Sequence, residues 1–295
     1  MTRAPKPTPI AARRTISTGR ARPISAELTP DQREVLVGGF DGVYTIDVAS
    51  GNAARHYREY EGNVVWAARM TADGTRVVAG NGGAHLDVWD AKTTKRIFEL
   101  ETDHSIVTRL SLSRDGKRAA TAARNNILRF WDIDRGERIG GRVEKKSLVI
   151  AAAIAPSGDV AMHGGTDGVV RLFDCKAEKE IAATPGKGWI NSIERSENGL
   201  WISAGRDKTV MVWDASANPV RTLRGFSRTI ECAAISPDGS RAVATGGGAP
   251  MVWDVATGKV LGSLEGDKVY SVRFSNDGAS IVTLGDTTIR IHDTP

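Results

Sequence analysis

Several features that would specify a function are scarce or missing in this 295-residue sequence. Its two cysteines, Cys175 and Cys232, have no CxxC spacing and no histidine cluster nearby. One disulfide is formally possible, but a chain of this size does not need it, and we predict two free thiols packed in strands. No apolar run approaches the roughly 18 residues that span a bilayer. The N-terminus is basic but lacks the apolar core of a secretory signal. We therefore expect a cytoplasmic protein that does not interact with membranes.

Catalytic motifs are missing as well. The five histidines show neither HExxH nor i, i+4 spacing, which gives a zinc site no support. There is no G-x-S-x-G elbow and no GxxxxGK[ST] loop, and the glycine run at 246–248 precedes a strand pattern rather than the helix that a phosphate loop needs. We expect no catalytic residue, no bound metal and no cofactor, and hence a protein that is not an enzyme.

The net charge of +5 invites a nucleic-acid interpretation, but its distribution weakens it. Residues 1–22 contain six basic residues and no acid, whereas the remaining basic and acidic residues nearly cancel. A short basic end adds non-specific attraction to phosphates or acidic surfaces. We interpret residues 1–12 as a solvated basic leader and residues 13–295 as one domain.

What the sequence has in abundance is internal repetition. A short apolar strand that ends in an aspartate, in most copies after an aromatic residue, recurs seven times at intervals of 43, 42, 42, 40, 40 and 39 residues. The repeated aspartates are Asp47, Asp90, Asp132, Asp174, Asp214, Asp254 and Asp293. Each is preceded by a turn of the SPDG kind, such as 113–116 and 236–239, flanked by β-branched, alternating strand patterns.

Each repeat therefore predicts four strands, and no stretch has the periodicity of a helix. A single four-stranded sheet of this size cannot bury both faces, but seven arranged radially can. The chain resembles the WD40 repeat family from about residue 13 to its end, on the strength of the period, the SPDG turns and four Trp-Asp pairs. The pairs begin at Trp89, Trp131, Trp213 and Trp253. The resemblance implies an all-β, seven-bladed β-propeller of four-stranded antiparallel blades.

The sequence departs from the family in its buried polar network. Typical WD40 repeats join a Gly-His histidine to an aspartate, a serine or threonine, and the tryptophan. Here only His104 remains of these histidines, and its repeat has Asn125 in place of the aspartate, while another repeat keeps Asp207 and Trp213 without the histidine. We therefore expect stability to depend on packing between blades.

The resemblance also implies where partners dock. WD40 propellers most often bind on the face with the loops that lead into the innermost strands. One recurring kind of position flanks the first apolar residue of that strand: Arg22, Trp66, Trp189, Thr229, Glu231, Lys268 and Tyr270. The other kind precedes the turn before the third strand: Phe40, Arg124, Thr166 and Arg206. From these we select a partner-binding set of Phe40, Trp66, Arg124, Trp189, Arg206, Lys268 and Tyr270, because aromatic residues and arginine dominate interface hot spots.

The innermost strands, as at 65–70, 149–154 and 230–235, are mostly apolar or small, which argues against ligands along a central channel. Two functions remain. The first is a non-catalytic scaffold that binds a protein or peptide, as a single ring or as a module of a larger assembly. The alternative is binding to nucleic acid or an anionic surface led by the basic N-terminus, which the neutral body does not favour.

The ring is predicted to close through its ends. The last repeat lacks a fourth strand after Asp293, and an exposed sheet edge is a liability. We expect Arg14–Thr18 to pair with Thr288–His292, and residues 1–12 to be dispensable.

Overall fold

The computed structural model describes residues 7–19, 22–58, 64–145, 147–246, 248–266 and 268–295. Within these ranges the chain forms 29 strands and no helix. The N-terminal segment supplies β1 (Pro9–Ile10) and β2 (Arg14–Ser17). The other strands form blades 1 to 7 in chain order, and each sheet runs from an innermost to an outermost strand.

Blades 1 to 4 each contain four consecutive antiparallel strands. Their bounds are β3 (Pro23–Leu28), β4 (Glu34–Gly39), β5 (Gly42–Asp47), β6 (Ala53–Arg58), β7 (Val65–Met70), β8 (Arg76–Asn81), β9 (His85–Asp90), β10 (Arg96–Glu101), β11 (Val107–Leu112), β12 (Arg118–Ala123), β13 (Ile127–Asp132), β14 (Glu137–Val143), β15 (Val149–Ile154), β16 (Val160–Gly165), β17 (Val169–Asp174) and β18 (Lys179–Pro185).

Blades 5 and 6 continue the pattern, and blade 7 has only three strands from its own repeat. The bounds are β19 (Ile190–Arg195), β20 (Trp201–Gly205), β21 (Val210–Trp213), β22 (Pro219–Leu223), β23 (Cys232–Ile235), β24 (Arg241–Thr245), β25 (Met251–Asp254), β26 (Val260–Leu264), β27 (Ser271–Phe274), β28 (Ser280–Leu284) and β29 (Thr288–Asp293). The predicted seven-bladed propeller is confirmed.

The apolar core lies between blades. Seven of the buried clusters each join two adjacent blades, and together they run around the whole ring. Trp131 of blade 3, for example, is 2% exposed and packs on Val78 and Leu86 of blade 2. Each blade thus buries its two faces against its neighbours, which is why the repeat cannot be stable alone.

Two sets of aspartates shape turns, those in the SPDG-type turns and those that end the third strands. In the turn between the first two strands of blade 6, the Ser236 hydroxyl donates to Asp238 Oδ1 at 2.5 Å, and Asp238 accepts the Ser240 amide at 2.9 Å. These hydrogen bonds hold the pKa of Asp238 below its ordinary value. At the end of a third strand, Asp254 Oδ1 accepts the Thr257 amide at 2.8 Å and so shapes the turn into the outermost strand.

Strand β2 completes blade 7. It pairs antiparallel with β29, with Arg14 opposite Ile291 and Ile16 opposite Ile289, as the sequence predicted. Ile16 is 2% exposed and belongs to the cluster between blades 7 and 1. Arg14 also donates to the Val48 and Ala49 carbonyls of blade 1, both at 2.9 Å, so this segment joins the two ends of the ring.

The division of the chain at residue 13 stays a prediction, but part of the proposed leader contacts the ring. Strand β1 runs parallel to β26 and makes a fifth strand on blade 6. The Ser263 amide donates to the Thr8 carbonyl at 2.9 Å. A Cβ at Gly262 would lie 2.7 Å from Ile10 Cδ1, so the small residue makes room for this strand.

Candidate functional site

The loop face is the end of the ring formed by the loops that lead into the innermost strands and by the turns between second and third strands. A recurring backbone hydrogen bond joins the two kinds of position within a blade. The turn residue donates its amide to the residue just before the innermost strand: Phe40 to Arg22 at 3.2 Å and Arg206 to Trp189 at 2.9 Å. Positions far apart in sequence therefore become neighbours.

Three of the predicted aromatic residues have an arginine over their rings. The Cζ atom of Arg206 is 3.3 Å from the centroid of the Trp189 ring. The corresponding distances are 4.9 Å from Arg124 to Trp66 of the neighbouring blade and 6.0 Å from Arg22 to Phe40. Both tryptophans are half-buried, the three arginines are exposed, and Phe40 is 49% exposed. Each pair presents an aromatic surface beside a cation.

Tyr270 and Lys268 lie on the loop that leads into blade 7. Tyr270 is 43% exposed, and its hydroxyl donates to Asp286 Oδ1 at 2.5 Å, a bond that raises the phenol's pKa. Lys268 is exposed and has a φ of 54°. Tyr270 and Trp66 both line the upper mouth of the central channel, together with Glu231.

The structure does not gather all seven predicted residues into one patch. Trp189 lines a separate small cavity on blade 5 with Lys187 and Asp207. Phe40, Arg124, Arg206 and Lys268 do not line the mouth of the channel. The binding role of the seven residues stays a prediction.

The expectation of an apolar channel is wrong. Six charged side chains of the innermost strands line two cavities that share several lining residues, an upper one of about 110 Å³ and a lower one of about 160 Å³. They are Glu27, Arg69, Arg109, Glu194, Arg195 and Arg273. The ranges that suggested an apolar channel included 149–154, which has no charged residue, and 230–235, whose one charged residue is Glu231 at the channel mouth. Three of the charges, Glu27, Arg69 and Glu194, occupy the fifth position of their innermost strands, a signal that alignment of these strands reveals.

Burial controls the ionisation of the two channel carboxyl groups. It raises the pKa of Glu194 to about 7, with Arg69 and Arg195 opposing that shift. It likewise raises the pKa of Glu27, against the nearby Arg69 guanidinium. Glu194 forms an ion pair with Arg273, and Glu27 lies 3.6 Å from Arg69.

The described part of the chain contains no group of three or more His, Cys, Asp or Glu residues arranged to bind a metal ion. None of its segments is a helix long and apolar enough to cross a bilayer. The two thiols are free and lie apart, Cys175 after β17 in blade 4 and Cys232 in β23 of blade 6.

A closed ring of seven four-stranded blades defines a repeat protein of the β-propeller class. The family described as WD40, WD domain, G-beta repeat, matches residues 94–132, 178–214, 217–254 and 258–293, just over half of the chain. The chain belongs to this family.

Relatives and a solved structure agree with that assignment. The chain is 31% identical to Small ribosomal subunit protein RACK1y of Oryza sativa subsp. japonica over 113 residues, 36% of this chain and 33% of that protein. It is 35% identical to Cross-pathway control WD-repeat protein 2 of Flammulina velutipes over 112 residues, 36% and 35% of the two. The alignments thus span about a third of these relatives. A chain in "Crystal Structure of Mitotic Checkpoint Complex" superimposes with a TM-score of 0.85 over 100% of this chain and 95% of that one, at 17% identity, which shows the fold alone.

Proposed function

We propose that this protein is a non-catalytic, cytoplasmic scaffold that binds a protein or peptide partner on the loop face. The observation that carries the proposal is the set of three arginine–aromatic pairs on this face. Tyr270 adds a further exposed aromatic side chain at the channel mouth. Tryptophan, tyrosine and arginine supply most hot spots in protein interfaces, because they combine large contact area with polar groups. The rice relative is named as a ribosomal subunit protein, a component of an assembly, which is consistent with a scaffold.

Each stacked arginine keeps donors for a partner. Arg22, Arg124 and Arg206 have no carboxylate within ion-pair distance among the residues that the structure describes. A guanidinium held beside an aromatic ring has fewer conformations, so less side-chain entropy is lost when it binds a carboxylate or a carbonyl. The pairs are therefore suited to a peptide that carries acidic and apolar side chains.

The test is a selection of peptides from a displayed library against the immobilised propeller, followed by affinity measurements on variants. We expect Trp66→Ala or Trp189→Ala to weaken the selected peptides at least about tenfold, as for a hot-spot residue. Ile181→Ala is the control, since Ile181 is 54% exposed on the outermost strand of blade 4. Peptides that bind both tryptophan variants as tightly as the wild type would contradict the proposal, as would loss of folding in these variants.

The alternative, binding to nucleic acid or an anionic surface, has less support. Arg13 pairs with Asp293 at 3.1 Å, and Arg14 donates to two backbone carbonyls, so two of the N-terminal cations already contact the ring. A duplex oligonucleotide titrated at roughly 50 and 200 mM salt distinguishes the two functions, because phosphate contacts make affinity fall steeply with salt. We expect no saturable binding at the higher salt.

A further inference from the structure

The central channel contains more positive than negative charge. The innermost strands place four guanidinium groups and two carboxylates around its two cavities. Both carboxylates already have partners: Glu194 pairs with Arg273, and Glu27 lies near Arg69 and accepts the Met70 amide at 2.5 Å. The other two arginines, Arg109 and Arg195, have no carboxylate within 4.0 Å among the residues in the described ranges.

These two arginines differ in their surroundings. Arg195 lines the lower cavity, donates to the Ile154 and Leu112 carbonyls at 2.7 and 3.0 Å, and has the carboxylates of Glu194 and Glu197 nearby. Its charge is therefore partly compensated within the protein.

Arg109 lines the upper cavity with less compensation. It donates to the Thr108 carbonyl at 2.9 Å and, from the opposite side of the channel, to the Asn191 carbonyl at 3.4 Å. Its nearby charges include a second guanidinium, that of Arg69, as well as Glu194. A guanidinium has five N–H donors, so donors remain for a further acceptor.

The Arg109 side chain is half-buried and its guanidinium remains charged, so the partial loss of solvent without a carboxylate partner costs free energy. Burial lowers the pKa of Arg109, which reflects the same cost. An anion in the cavity would remove it. The upper cavity has a volume of about 110 Å³, and by the same measure a single water needs only about 10–15 Å³. A small anion therefore fits.

We propose that the upper half of the central channel binds a small oxyanion, a carboxylate or phosphate group, through Arg109, with Arg69 and Arg273 at its inner end. The anion enters past Trp66 and Tyr270. Glu231 at the rim is exposed, so solvent and salt screen its repulsion. The site lies inside the ring and is independent of the peptide-binding role of the loop face.

Anion-dependent thermal stability tests the site. Sodium phosphate and sodium acetate are titrated separately at constant ionic strength maintained with sodium chloride. A ligand that binds only the folded state raises the melting temperature in a saturable way. We expect such a rise with phosphate if the site takes a phosphate group, or with acetate if it takes a carboxylate, and the same rise in the control Arg135→Gln, which alters an exposed arginine of blade 3.

Arg109→Gln should abolish the anion-dependent rise in melting temperature or increase the apparent dissociation constant at least tenfold. If Arg109→Gln does not fold, Arg109→Lys keeps the charge without the forked donors and should still weaken binding. Wild-type crystals soaked in selenate give a direct answer, because anomalous scattering locates the anion. No saturable rise with either anion, or an equal rise in Arg109→Gln, would overturn the proposal. If phosphate gives the rise, selenate absent from the Arg109 cavity would overturn it as well.

Discussion

At single residues, the aromatic position of the third strand shows how stability is distributed. Trp131 is 2% exposed between blades 2 and 3, and its Nε1–H donates to Thr121 Oγ1 at 2.9 Å. Trp213 makes the equivalent bond to Ser203 in blade 5. His104, the remaining histidine of the family network, is exposed on a loop instead.

We therefore predict that Trp131→Ala lowers the free energy of unfolding by about 3–5 kcal/mol, as for other large buried aromatics. His104→Ala should cost about 0.5 kcal/mol or less, because an exposed side chain contributes little packing. Urea denaturation measures both, and Thr121→Val separates the hydrogen bond from the packing. Equal losses for Trp131→Ala and His104→Ala would show that the histidine network is intact.

His163 occupies, in blade 4, the place that Thr121 has in blade 3. It is 1% exposed, and burial together with the nearby Arg171 lowers its pKa to about 4 from 6.5. The unfolded chain therefore binds the proton more readily between these values, so stability is lost as the pH falls from about 6.5 towards 4.

From pH 7 to pH 5, His163 should account for a loss of about 2 kcal/mol in the free energy of unfolding. His163→Thr, which copies blade 3, should remove that part of the pH dependence while the wild type retains it. His292 has a pKa shifted in the same direction and leaves a residual slope in both proteins. Parallel pH profiles for wild type and His163→Thr would contradict the assignment.

At the level of elements, the two N-terminal strands contribute unequally to ring closure. Strand β2 covers the edge of β29 and buries Ile16, whereas β1 adds a two-residue strand with Ile10 only partly buried. Removal of residues 1–12 should therefore cost only about 1–2 kcal/mol, less than the full burial of an isoleucine. The sequence alone predicted that residues 1–12 are dispensable. A small loss of stability is expected instead, because β1 pairs with β26.

Removal of residues 1–19 should lower the melting temperature far more, because the β29 edge and the apolar face of blade 1 become exposed. Ile10→Ala and Ile16→Ala are matched point variants that should reproduce the order, with about 2–4 kcal/mol for Ile16→Ala. Similar melting temperatures for the two truncations would mean that β2 does not close the ring.

Most elements were predictable because their signals are local. Turn aspartates, the alternation within strands and the period of about forty residues all lie within one repeat. The fourth strand that each repeat predicts is present, for example, as β22 and β26. Strand β1 was missed because two residues carry no periodicity, and its partner is more than 250 residues away.

At the scale of the whole molecule, the channel charges show what one repeat cannot reveal. Each innermost strand contributes at most two of them, and β15 and β23 contribute none. They become a cluster only when the ring closes and brings β3, β7, β11, β19 and β27 around one axis. The arginine–aromatic pair of Arg124 and Trp66 crosses a blade boundary for the same reason.

The position of β2 before blade 1 also governs the order in which a nascent chain can assemble. Blades 1 to 6 each receive four strands from one continuous stretch, so they can form as they leave the ribosome. Blade 1 nevertheless keeps one apolar face, with Leu28, Val35 and Ile46, uncovered until Val282 and Ile291 have been synthesised. Such transiently exposed surface is prone to aggregation. Synthesis of β28 and β29 therefore completes the ring, and the ring is most vulnerable just before these strands emerge.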